Sequence, residues 1–213
     1  MTHAEHAQRG RVRAILISLV AGIAILALKA AAYFLTGSMA LQSDALESIV
    51  NVVAAAFGLG AVLFAGQPAD KNHPYGHGKM EFFAAAFEGG LISLAGIIII
   101  YESVMALLHG VELKSLGLGM AVNLAAGALN GLLGWWLVRT GKRLHSKTLE
   151  ADGHHVISDF YSTGGILVGL SLVIATGFSW IDPLLAIGVG CLLAKTGFRL
   201  VRDIYHSGAR DGG

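Results

Sequence analysis

Charge is scarce in this sequence. Only 14% of its 213 residues are charged and 54% are hydrophobic, whereas a soluble domain carries about 25% charged residues. So little charge cannot cover a water-facing surface, which excludes a soluble protein. Cysteine is nearly absent too: Cys191 alone excludes an internal disulfide, and its apolar surroundings read as those of a small buried hydrophobe. The formal net charge of +1 gives no basis for a nucleic-acid partner. Two enzymatic signatures are missing as well. There is no His-Glu-x-x-His pair for an intramembrane metalloprotease and no Gly-x-Ser-x-Gly nucleophile elbow. The chain is therefore not read as an enzyme.

What the sequence has is long apolar runs. A run of about 18 or more apolar residues is long enough to cross the ~30 Å hydrocarbon core as a helix. Six such spans are predicted, over 14–35, 39–66, 82–108, 116–138, 148–176 and 181–202. Thr36-Gly37-Ser38 ends the first, Gln67-Pro68 the second, and Gly177 and Pro183 punctuate the last turn. The first run is too long for a signal-peptide core, so it counts as a true span. The expected fold is all-α: one polytopic membrane domain over 1–213 with six transmembrane helices, a short tail 1–13 and a tail 203–213. Much of the glycine lies inside spans, as in "GGILVG" and "IGVGCLLAKTG", and small residues let membrane helices approach closely.

The basic residues predict the orientation. Arg9, Arg11, Arg13, Lys71, Lys79, Arg139, Lys142, Arg143, Lys147, Arg199, Arg202 and Arg210 fall on the side of the termini, and Lys114 alone on the other. Positive loops stay in the cytoplasm, so both termini are expected there.

Ionisable groups at membrane depth cost about 2.5–3.5 kcal/mol each even on lenient scales, and persist where they pair, meet water or serve a function. Asp44, Glu47 and Asn51 are spaced i, i+3 and i+7, on one face of the second span. His155 and Asp159 repeat the i, i+4 spacing in the fifth, at similar depth. The two pairs could simply bond to one another or solvate a re-entrant helix end. Together, though, Glu47, Asn51, His155 and Asp159 offer one nitrogen and three oxygens, a donor set suited to tetrahedral Zn2+. Asp44, one turn nearer the outer end, is a helix cap, an entrance charge or an accessory ligand. In the loop "QPADKNHPYGHGKME", Asp70, His73 and His77 make a possible second metal site, or are solvated loop residues. Lys29 is expected to snorkel or to pair with an acid. Glu88, Glu102, Asn123 and Asn130 read as interhelical hydrogen-bonding groups or path-lining ones, and Asp152 as a group that orients a ligand.

"SDALESIVN", "QPADKNHPYGHGKME" and "EADGHHVISD" resemble the motifs of the cation diffusion facilitators, six-span exporters of divalent metals driven by proton antiport. The resemblance extends along essentially the whole chain. It implies a transport site at Glu47, Asn51, His155 and Asp159, and a loop site at Asp70, His73 and His77. It also implies Zn2+, with Cd2+ next, as transported substrate and protons as counter-ion. The implied home is the bacterial inner membrane, where the chain would work as a homodimer. Two departures stand out. The second span carries Glu-xxx-Asn where bacterial zinc members commonly show Asp-xxx-Asp, which leaves the metal open, Fe2+ and Mn2+ included. The chain ends before the cytoplasmic metal-binding domain usual in the family, as either a truncation or a naturally short member would, so any homodimer of it is expected to form through the spans. A membrane sensor or scaffold that binds metal without moving it is the rival reading.

Overall fold

The computed structural model describes residues 3–65, 79–144 and 146–208. Six helices account for them: α1 (His3–Thr36), α2 (Met39–Ala65), α3 (Lys79–His109), α4 (Leu116–Arg143), α5 (Lys147–Thr176) and α6 (Ile181–Gly208). All but α2 contain a segment long and apolar enough to cross a membrane. α2 is 27 residues long but is not among those five, so the sixth crossing expected from the sequence rests on α2 alone. Helix ends run past the expected spans. α1 begins at His3, inside the segment expected to be a tail, and α4 continues to Arg143.

Local chemistry sets several boundaries. Ser146 caps α5, its hydroxyl accepting from the backbone N–H of Leu149 at 3.5 Å. Gly177 ends the same helix with φ 74°, a left-handed conformation that costs a residue with a Cβ about 1–2 kcal/mol.

Side-chain pairings fix the directions. Lys29 of α1 meets Asp44 of α2, and Asn51 of α2 meets His155 and Asp159 of α5. Phe57 of α2 packs on Phe83 and Phe87 of α3. Along each pair the residue number of one helix falls as that of the other rises. Lys29 meets Asp44 and Gly22 approaches Val52, Asp44 meets Thr163 and Asn51 meets His155, Gln42 meets Glu102 and Phe57 meets Phe83, so these neighbours are antiparallel. One end of the bundle therefore carries both termini (the terminal end), and the other carries the turns at 37–38, 110–115 and 177–180 (the loop end).

Within this bundle α4 packs closely on α5 and on α1, and α3 packs chiefly on α6. Apolar burial drives little association between helices in lipid, so close packing has to hold them. The α3–α6 crossing shows how. A Cβ on Gly96 would sit 2.5 Å from the backbone nitrogen of Ala194 and 2.6 Å from the carbonyl oxygen of Gly190. Only glycine lets these two backbones meet. Among the described residues, buried apolar side chains form three clusters: Ala32, Leu41, Ile166 and Leu170 at the loop end, Ala14, Leu137 and Leu149 at the terminal end, and Val50, Ile92 and Ala95 where α2 meets α3. Cys191, expected to be buried, is exposed on α6.

Candidate metal centre

The i, i+4 pairs of α2 and α5 meet across the seam between those helices. The Asn51 amide uses both of its ends. Its Nδ2 donates to Asp159 Oδ2 at 2.7 Å, and its Oδ1 lies 3.1 Å from His155 Nε2. A carboxylate can only accept, so the NH2 group belongs on Asp159 and the amide oxygen on the imidazole. That polarity places a proton on Nε2 of His155. Asp159 is 4% exposed, whereas His155 is exposed.

Glu47 reaches the same place from one turn away. It lines a small cavity of about 150 Å³ together with Asn51, His155 and Asp159, and its buried Oε2 has no hydrogen-bond partner among the described residues. Among those residues no three His, Cys, Asp or Glu side chains stand close enough to hold a metal ion. The four expected ligands are thus neighbours, but three of them, Asn51, His155 and Asp159, are drawn into hydrogen bonds with one another rather than arranged with Glu47 around a common point. A cation would have to pull Asn51 off its two partners. Asp70, His73 and His77 lie outside the described residues.

A larger cavity, about 440 Å³, approaches the same groups from the terminal half of the bundle. Asn51, His155 and Asp159 line its inner end, and Ser18, Ser48, Glu88, Asn130 and Asp152 bring polar groups to its walls. Asp152 accepts from the Ser18 hydroxyl at 3.1 Å, which ties α5 to α1. Glu88 and Asn130 thus line this cavity. Glu102 is a hydrogen-bond acceptor for the Gln42 amide.

Asp44 does not stand at an entrance, and it caps nothing. It is fully buried (0% exposed) and pairs at 2.6 Å with Lys29, itself 0% exposed. Asn123 Nδ2 donates to its Oδ2 at 2.9 Å, and the Thr163 hydroxyl lies 3.2 and 3.1 Å from its two oxygens. Removing one partner of such a buried pair costs about 3–5 kcal/mol. Lys29 pairs rather than snorkels.

Two buried contributors escape a reading of the sequence. Thr163 follows Asp159 by four residues, which is the signal that could have found it. Asp182 at the start of α6 holds the first turn of α2. Its Oδ1 accepts from the Ser38 hydroxyl at 2.5 Å and the Ala40 N–H at 3.1 Å, and its Oδ2 from the Met39 N–H at 2.7 Å.

Comparison with known proteins places this arrangement. Residues 15–207 match the family described as the cation efflux transmembrane domain. An uncharacterized transporter of Synechocystis is 43% identical over 191 residues, 90% of this chain and 62% of that protein. A cation-efflux pump of Pectobacterium carotovorum is 33% identical over 84% of this chain and 60% of its own length. A cadmium, cobalt and zinc/H+-K+ antiporter of Bacillus subtilis is 26% identical over 94% of this chain and 64% of its own length. The chain therefore spans somewhat less than two thirds of the length of these relatives. With an all-helical bundle, five membrane-length helices and a match along nearly its whole length, the chain belongs to the cation efflux family and carries that family's transmembrane domain.

Proposed function

We propose that this chain exports a divalent cation, Zn2+ ahead of Cd2+, across the bacterial inner membrane in exchange for protons, with the ion held by Glu47, Asn51, His155 and Asp159. The observation that carries this reading is the cavity of about 440 Å³ whose inner end is formed by three of those four residues. The Bacillus subtilis relative, a cadmium, cobalt and zinc antiporter, supports the same substrate class. The imidazole favours zinc over the all-oxygen preference of Mn2+, and the lack of a thiolate disfavours Cu+.

In this reading the basic terminal end faces the cytoplasm, and the large cavity is the cytoplasmic approach to the site. The ion takes the imidazole nitrogen and the carboxylate oxygen that Asn51 now occupies. The amide keeps its hydrogens, and the protons released on loading are those of a charged imidazole or a neutral carboxyl group, which must leave before His155 and Asp159 can ligate. Protons arriving from the other side return the imidazole to the Asn51 oxygen and the carboxylate to the amide, which expels the ion. Asp70, His73 and His77 would form a loop site at the cytoplasmic mouth, and two copies would pair through their spans.

The test is metal uptake by proteoliposomes loaded with a zinc-sensitive dye, with and without an imposed pH gradient. Gradient-dependent zinc flux that Asp159→Ala abolishes is the expected result. Zinc binding with no flux in either condition would leave a sensor, and flux indifferent to the gradient would leave a channel.

A further inference from the structure

One turn beyond the site, toward the loop end, four of the helices, α1, α2, α4 and α5, are tied together at a single carboxylate. Asp44 precedes Glu47 by three residues on α2, and Thr163 follows Asp159 by four on the antiparallel α5. Both therefore lie on the loop side of the site. Lys29 comes from α1 and Asn123 from α4, so each of these helices contributes one member. The contacts are those already given: the Lys29 ion pair at 2.6 Å, the Asn123 amide at 2.9 Å and the Thr163 hydroxyl at 3.1 and 3.2 Å. Lys29, Asp44, Asn123 and Thr163 have 1% or less of their surface exposed.

This knot contrasts with the other side of the site. Toward the terminal end, a cavity of about 440 Å³ reaches Asn51, His155 and Asp159. Toward the loop end the knot is followed by packed apolar side chains, Leu41 of α2 and Ile166 and Leu170 of α5 among them. Apart from such side chains, α2 and α5 touch each other sparsely. What spans their seam is polar: Asn51 to His155 and Asp159 at the site, and Asp44 to Thr163 just beyond it.

Resting on the transport reading above, we propose that Lys29, Asp44, Asn123 and Thr163 form the loop-side closure of the ion path, with the Asp44–Thr163 contact as the bond that must part before the ion can leave. Lys29 and Asn123 act as positioning residues. They hold the Asp44 carboxylate at the seam, and the ammonium satisfies its charge so that the carboxylate does not retain the passing ion. Thr163 crosses to it with a neutral hydroxyl, a contact weak enough to break on each cycle. Parting of α2 and α5 at this level exposes the apolar layer from Leu41 to Leu170 to the loop side.

The experiment reads accessibility directly. In a Cys191→Ser background, Ile166→Cys is exposed in reconstituted vesicles to a charged, membrane-impermeant maleimide added from each side in turn. Thr163→Val keeps the side-chain shape and removes the seam bond. It is expected to speed loop-side labelling by about tenfold, the population change that follows loss of one hydrogen bond to a charged group. The pair Lys29→Met with Asp44→Asn, which leaves no buried charge alone, is expected to give a larger rise, and Lys29→Arg to stay near the parent. Leu137→Cys, buried at the terminal end, is the control for general loosening. Faster labelling at position 166 with no change at position 137 supports the closure. An unchanged rate at 166 in folded Thr163→Val protein overturns it, and so does a rise at both positions. The labelling rates keep their meaning even if the parent shows no zinc flux, so failure of the transport reading and failure of the closure are separable.

Discussion

Asn51 decides how the site holds itself together. Its amide satisfies a carboxylate with one end and an imidazole with the other, at 2.7 and 3.1 Å. Asn51→Asp would set a second anion against Asp159 and would remove the donor that now bridges them. The metal-free protein is therefore expected to melt at a lower temperature, because like charges in a poorly solvated seam repel. A divalent cation reverses that penalty. Zinc affinity is expected to tighten by about tenfold, equivalent to roughly 1.4 kcal/mol of added attraction, and zinc should raise the melting temperature more than it does in the parent. Thermal melts with and without zinc, together with a competition titration against a zinc dye, check both halves. Equal zinc affinity in the two proteins would mean that position 51 does not touch the ion. The i, i+4 spacing of these residues could be read in the sequence because an apolar span makes every polar residue conspicuous. Their partners could not. Lys29 had several acids within reach by composition, and nothing local singles out Asp44. Thr163 was less visible still, because a helical Ser or Thr can satisfy itself on its own backbone, as Ser171 does on Leu167 and Thr176 on Leu172.

At the scale of elements, two contacts hold helix ends and helix pairs that no local signal announces. The N-terminal N–H groups of a helix have no intrahelical acceptors. For α2 the acceptor comes from another helix, 143 and 142 residues away in sequence, as Asp182 takes the N–H groups of Met39 and Ala40. Asp182→Ala should destabilise the fold by about 1–3 kcal/mol, the cost of leaving such donors buried and unmet. Zinc affinity measured per folded molecule should not change, since Asp182 lies at the loop end and touches none of the four proposed ligands. A melt paired with a zinc titration tests this, and altered affinity would link the cap to the site. The α3–α6 crossing gives a second expectation from two glycines on one helix. Gly96→Ala drives a methyl group into the Ala194 backbone, whereas a Cβ on Gly90 meets nothing within 4 Å. The first should lower the melting temperature. The second should leave it unchanged or raise it slightly, by the ~1 kcal/mol that alanine gains over glycine inside a helix. Equal effects at the two positions would mean that the two helices do not approach this closely. Glycine-rich stretches pointed to close approach in the sequence, yet which helices they join is a tertiary fact.

For the whole molecule, sidedness is the property on which the sequence speaks most plainly. Twelve basic residues against one point the terminal end toward the cytoplasm, and the antiparallel helix pairs bring both ends of the chain to one side. The asymmetry of the interior could not be read in the same way, because a cavity is what packing leaves over and no residue type encodes it. The large cavity occupies the terminal half, while the loop half is filled by the Asp44 knot and the apolar layer above it. Leu19, on α1, lines that cavity. In a Cys191→Ser background, Leu19→Cys should therefore react with an impermeant thiol reagent from the cytoplasmic side of inverted vesicles. In intact right-side-out vesicles it should stay protected. Zinc should slow the reaction if the ion enters by this cavity, because an occupied inner end narrows the space the reagent needs and biases the helices toward release. The rates with and without zinc, measured from each side, separate the possibilities. Labelling from the opposite face would reverse the orientation drawn from the basic residues. Equal rates from the cytoplasmic face, with and without zinc, would keep the orientation but remove this cavity from the path of the ion.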